Sequence, residues 1–324
     1  FNSTFSDMTL TTPGTQLSGN LNATTTFTQA LSPYWATSDI SFTAGTHTFQ
    51  AGTTVLFLPG TGLTVSQANV VCSGTAVDSV KFMYFTNEKG QWDGIYFDPS
   101  SDVGVSSQFT YTVISGAGYG SNNANLYCSE TNEPLLTRCN IRYADGHGVR
   151  LNSAHINMNN CLLRANMENG AYLNNSNPTF VSTTLSYNTG AGVFLTSSGS
   201  EPTYSTSTIS YNGYGMRYPS PNFTILPPNG SPTMTNNTHN GIAIDGGDID
   251  GSNKVWNSIS YPYILLGTVR LAQYGSYVRL TIEPGNTVKA ITGVQLQIGV
   301  SGSWGGELYA IGTADSLITF TSHN

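Results

Sequence analysis

Between Arg142 and Leu151 the chain reads RYADGHGVRL. Asp145 and His147 supply a carboxylate and an imidazole two residues apart, and Arg142 and Arg150 bracket them. An acid, a base and cations at one corner are groups that could bind an acidic sugar and move a proton on it. Arg164 and Glu168 follow one repeat later and are expected close to Arg142 and Asp145. A second stretch, IDGGDIDG, gathers Asp245, Asp248 and Asp250, the kind of acid cluster that calcium uses. Glycoside hydrolysis, however, requires two carboxylates flanking the scissile bond. No second acid stands at the position one repeat after Asp145, where Asn166 and Asn188 mark the polar corner. A G-x-S-x-G elbow is also missing.

These residues are carried by a repeat. VRLNSAHINMNNCLLRANMENG (149–170), AYLNNSNPTFVSTTLSYNTGAG (171–192) and VFLTSSGSEPTYSTSTISYNGYG (193–215) align at a period of about 22. Each opens on a short strand ending in Leu, passes an Asn/Ser turn into a second strand, and closes on Gly170, Gly192 or Gly215. One such unit cannot bury its apolar side alone, but stacking at about 4.8 Å makes a continuous column. Leucine-rich repeats share the period, but their L-x-x-L-x-L pattern and helical half are missing. The expected fold is all-β, a right-handed parallel β-helix with about 22 residues per regular coil, regular over 121–215.

Stacking then assigns roles. Ile141, Leu163, Leu185 and Ile209 should form an inward ladder, with Cys139, Cys161, Thr183 and Ser207 inward two residues earlier. Asn166, Asn188 and Asn212 should form a polar corner ladder that satisfies backbone groups, with Tyr187 and Tyr211 stacked just before it. Cys128 aligns with Leu151 and should face the core. The cysteines follow no zinc spacing; they read as small buried hydrophobes, with a Cys139–Cys161 bridge as the sharper alternative.

A longer repeat overlies the short one. LTIEPGNTV (280–288) matches the stretch around Pro59-Gly60, SYPY (260–263) matches LSPY (31–34), and GTADSLITFTS (312–322) matches GTAVDSVKFMYFT (74–86). Residues 1–261 are therefore read as one long repeat and 262–324 as the opening coils of a second copy on the same solenoid. The equivalent of Asp245, Asp248 and Asp250 in the first copy, near LTTPGTQLSG (10–19), has no acid, which favours a surface turn over a calcium site.

The string from Leu280 to Val288, with Gly306 to Thr313, Ile318 to Ser322 and Trp92 to Phe97, resembles the right-handed parallel β-helix repeat family of bacterial and archaeal cell-surface proteins. That resemblance implies a scaffold, because the matching residues are turn glycines, prolines and core aliphatics. Gly146-His147-Gly148 resembles the GHG of polygalacturonase-like hydrolases, but the paired aspartates and R-x-K of that family are not found.

Composition sets the remaining bounds. Only 9% of residues are charged, against about 25% in ordinary soluble proteins, and net charge is −7. With 11 basic residues and no basic run, nucleic acid is not an expected partner, and no apolar run reaches membrane-spanning length. The sequence begins on Phe1 and contains sequons at Asn2, Asn22, Asn174, Asn222, Asn229 and Asn236, consistent with a processed form or a piece of something longer. The expectation is an extracellular or cell-surface structural protein, non-catalytic and without a cofactor, whose copies associate end to end as a filament, sheath or tandem array. A glycan-binding adhesin and a polysaccharide lyase or glycoside hydrolase are the alternatives, and surface glycans the expected ligands.

Overall fold

A computed structural model describes residues 14–86, 89–101, 107–131, 134–227, 229, 231–299 and 304–323. The Asn2 sequon and the start of the 10–19 stretch fall outside them. The chain is a parallel β-solenoid of about 12 turns, with coils roughly 24 residues apart. In the regular coils the spacing is 22, as between Asn166 and Asn188.

Each regular coil has three strands and therefore three faces. The first face stacks strands such as Asn157–Asn159, Thr179–Val181 and Thr203–Ser205. The second stacks Asn140–Arg142, Leu162–Arg164 and Thr184–Ser186, and the third stacks His147–Asn152, Ala171–Asn174 and Ala191–Leu195. Strands this short form because alternation puts one or two apolar side chains inward and the outer ones in water. The ladder Ile141–Leu163–Leu185–Ile209 pairs rung by rung on the second face, fully buried. Cys128 pairs with Leu151 and is likewise buried. All four cysteines are free buried thiols, so the bridge between Cys139 and Cys161 is not formed. Burial pushes the Cys139 thiol well above its ordinary range, and its Sγ bonds the Phe109 carbonyl at 3.1 Å.

The corners explain the rest of the repeat. Tyr143, Ala165, Tyr187, Tyr211 and Asn236 each take φ between 55° and 58°, left-handed backbone at the same bend of successive coils. Such conformations cost non-glycine residues roughly 1 kcal/mol each, so the stacked coils must impose them. Beside this bend runs the asparagine ladder. Asn188 Oδ1 accepts from the backbone N–H and Nδ2 of Asn166 at 3.1 and 2.8 Å, and Asn212 Oδ1 accepts likewise from Asn188 at 2.9 Å each. Asn237 continues the series below, and Asn125 joins it above through Asn166. The ladder fills the space opposite the closing glycines. A Cβ on Gly170 would lie 2.9 Å from Asn188 Nδ2 and 2.7 Å from the Gly192 carbonyl oxygen.

The solenoid runs without a break across residue 261, since Ile242 pairs with Tyr263, Tyr263 with Val288 and Val288 with Phe320, all on the third face. The long-repeat matches need one correction. Pro59-Gly60 and Pro284-Gly285 do both turn the chain into a third-face strand, with Gly60 and Gly285 at φ 68° and 85°. The flanking matches are displaced by one face. Tyr34 and Phe82 both pair with Val55 on the second face, whereas Tyr263 and Phe320 pair with Val288 on the third. The strand Trp304–Ala310, stacked on Tyr277–Ile282, takes the slot that Val80–Tyr84 fills in the first copy. Short strands of the same composition fit either face, so motif identity did not fix the register.

Candidate functional site

The outward residues of the third face form a stripe. Alternation places Tyr96, Tyr127, Arg150, Tyr172, Phe194 and Arg217 on one line, each pairing with the next along the solenoid axis. Tyr96 and Tyr127 stack at 4.9 Å between ring centroids. Arg150 lies over Tyr127 at 4.8 Å and over Tyr172 at 5.8 Å, and Arg217 over Phe194 at 5.4 Å. Arg150 also donates to the Ser121 carbonyl at 2.7 Å. A guanidinium between ring faces keeps its charge while covering apolar surface.

Beside the stripe lies a groove of two contiguous cavities. One, of about 400 Å³, is lined by His147, Glu168, Tyr172, Phe194, Tyr214 and Arg217 among others. The next, about 470 Å³, shares Tyr214 and Arg217 and adds His239, Asp245, Leu266 and Ile291. His147 is buried and stacks on Tyr172 at 4.7 Å. Its Nδ1 accepts from the Asn169 backbone N–H at 3.4 Å, which leaves Nε2–H to donate to Glu168 at 3.1 Å. Burial, and secondarily the Arg150 charge, hold His147 down to about pKa 3, so the ring is neutral at physiological pH. Asp245 accepts a forked pair from Arg217 at 2.8 and 3.1 Å, an arrangement that raises the Arg217 pKa further.

The residues of the GHG corner are thus divided. His147 and Arg150 join the third face. Asp145 is exposed at the bend and lies against Gly90, and among the described residues its carboxylate makes no bond to His147. Glu168 lies one coil below this corner, its backbone N–H donating to the Gly146 carbonyl at 3.0 Å, and its side chain partners His147. Arg164 does stack on Arg142 as expected. The two glycines serve packing, since a Cβ at Gly146 would lie 2.1 Å from the Asn123 carbonyl oxygen and one at Gly148 2.6 Å from that of Gly170.

Asp245, Asp248 and Asp250 do not converge as a calcium site would require. Asp248 pairs with Arg270 at 2.6 Å and Asp250 accepts from Asn222 at 2.6 Å, each on its own partner. Among the described residues no three His, Cys, Asp or Glu side chains group to hold a metal. The groove aromatics Phe194 and Tyr214 and the ion pair at Arg217 were not anticipated. The signal was there: Arg150, Tyr172, Phe194 and Arg217 each stand one residue before an inward Leu151, Leu173, Leu195 or Tyr218.

No helix among the described residues is long and apolar enough to cross a membrane. Comparison with curated proteins gave no match. Among solved structures, the chain is similar to the crystal structure of Dettilon tailspike protein at 11% identity and a TM-score of 0.28, over 95% of this chain and 61% of that one. The family model described as right handed beta helix region matches residues 68–225, which take in every regular coil. Residues 68–225 are therefore a right-handed β-helix region, set within a parallel β-solenoid that runs from Thr15 to Ser322.

Proposed function

We propose that this protein is an extracellular or cell-surface β-helix scaffold that binds a glycan chain lengthwise in the groove of its third face, without catalysis. The observation that carries this reading is the continuity of the two cavities through Tyr214 and Arg217, with Tyr172 and Phe194 set along the same line. Half-buried rings offer flat apolar faces to sugar rings, and the charged groups between them offer bonds to hydroxyls. The groove also supports binding over turnover. Both of its carboxylates are occupied, Glu168 by His147 and Asp245 by Arg217, and His147 is held neutral. A hydrolase would keep one such acid free to protonate a leaving group.

The test is calorimetric titration with a panel of oligosaccharides, alongside an assay for released reducing ends. Binding should fall at least about tenfold in Tyr172→Ala and in Arg217→Gln, a loss of about 1.4 kcal/mol, with the thermal midpoint little changed. Release of reducing ends by the parent protein would overturn the non-catalytic part. Binding that survives both substitutions would overturn the groove.

A further inference from the structure

The second face carries a different feature. Of the seven arginines, Arg138, Arg150, Arg217, Arg270 and Arg279 each donate side-chain hydrogen bonds. Arg142 and Arg164 make none among the described residues, and the Nε atom of each is shut from solvent without an acceptor. They are neighbours in register on adjacent strands, which sets their backbones about 4.8 Å apart. Two like charges that close repel unless an anion lies between them. The three other ion-paired arginines show that the chain pairs guanidinium with carboxylate elsewhere, at Asp245, Asp248 and Glu307.

A cavity begins at Tyr143, the chain neighbour of Arg142. Ser115 pairs in register with Arg142 one strand earlier, and it lines a pocket of about 280 Å³ together with Lys89, Thr86, Met83 and Tyr143. Arg142 lies over the Tyr143 ring at 5.2 Å and Lys89 over the same ring at 5.8 Å. Lys89 forms no ion pair among the described residues; its Nζ contacts only Met167 Sδ at 3.4 Å. Two cations thus flank one exposed tyrosine on a molecule of net charge −7, and Arg164 stands next to Arg142 one strand further along.

We propose that Arg142, Arg164 and Lys89 form a binding site for the carboxylate of an acidic saccharide, with the sugar ring seated in the pocket against Tyr143. Planar guanidinium forks suit a carboxylate, and a ring face suits the sugar that bears it. The site lies on another face from the groove and stands or falls separately from the reading proposed for it.

The experiment titrates the intact protein with an oligouronate, with the neutral oligosaccharide of the same linkage, and with inorganic sulfate. The uronate should bind at least about thirtyfold more tightly than either control, and its affinity should fall as salt rises. Arg142→Gln with Arg164→Gln should remove at least about thirtyfold of the uronate affinity, and the surface variant Lys89→Gln several-fold, while Asp248→Asn leaves it unchanged. Equal binding of acidic and neutral sugars, no uronate binding by the parent, or full affinity in the double variant and in Lys89→Gln would each overturn the proposal. Sulfate binding as tightly as the uronate would overturn the saccharide as the ligand, leaving an anion site only.

Discussion

The regular coils from Ala124 to Tyr218 and the coils after Gly247 build one solenoid by different means. In the first region the inner corner is an unbroken asparagine ladder, and arginines lie on tyrosine rings. In the second region Asn286 stands in for the ladder alone, its Nδ2 donating to the Trp256 and Glu283 carbonyls at 3.2 and 3.0 Å. Large rings fill that core, with Trp256 stacked on Tyr263 at 4.9 Å, and the surface arginines Arg270 and Arg279 are closed onto acids, Arg279 also lying over the Tyr309 ring at 5.3 Å. A charge paired with an acid has fewer donors to offer than one resting on a ring face. On the proposed function, the difference puts most of the binding surface in the first region, with Leu266 and Ile291 of the second at the end of the groove.

The sharpest way to break the comparison is through the ladder itself. Asn188→Ala strands the Asn166 backbone N–H in the interior, removes a donor from the Leu163 carbonyl and breaks the chain of amides on both sides. Buried groups left without partners cost about 1–3 kcal/mol each, so a loss of about 4 kcal/mol is expected. Asn286→Ala should cost about half as much, because it strands the Ile259 backbone N–H but no neighbouring asparagine side chain depends on it. Urea unfolding of the two variants measures both; equal losses would mean that the ladder acts as separate rungs rather than as a unit.

His147 tests the same region by pH. Its folded pKa of about 3 lies below the ordinary value of 6.5, so between those values the unfolded chain binds the extra proton. The stabilisation is complete above about pH 6.5 and is lost as pH falls toward 3, at up to about 1.4 kcal/mol per pH unit. His239 and His323, which bond each other at 2.8 Å nearer the second region, are lowered mainly by burial and add to the same slope. His147→Asn, which copies the Asn169 of the next coil, should flatten the slope between pH 6 and 4 by up to one proton. An unchanged slope would show that His147 titrates normally in the folded chain.

What could be read from the sequence follows from the spacing. Residues exactly one coil apart, such as Leu163 and Leu185 or Tyr187 and Tyr211, had to stack once the period was known, and the two tyrosines do so at 4.9 Å. Asn125 escaped notice because it reaches the ladder from the neighbouring strand, standing in where the aligned residue is Ala144. Asn237 was hidden by a corner that lengthens the spacing from Asn212 to 25. The groove was partly hidden for a different reason: its two cavities join only where Arg217 turns onto Asp245, 28 residues away, and no short period relates them. The second-face arginines were visible as a pair, but the pairing of Glu168 with His147 was not.

The smallest expected effect falls on the second region and checks its role as support. Asp248→Asn removes the partner of Arg270, whose pair is roughly half exposed on both sides, 44% and 50%. Solvent screens such a pair, so the cost should be under about 1 kcal/mol and should vanish in molar salt. It should also leave oligosaccharide and uronate binding unchanged, since neither the groove nor the Arg142–Arg164 pair touches it. A loss of several kcal/mol would mean that the outer pairs, rather than the core rings, hold these coils together. A loss of binding with stability intact would instead extend the recognition surface past the groove residues Leu266 and Ile291 to the outer ion pairs and erase the division between the two regions.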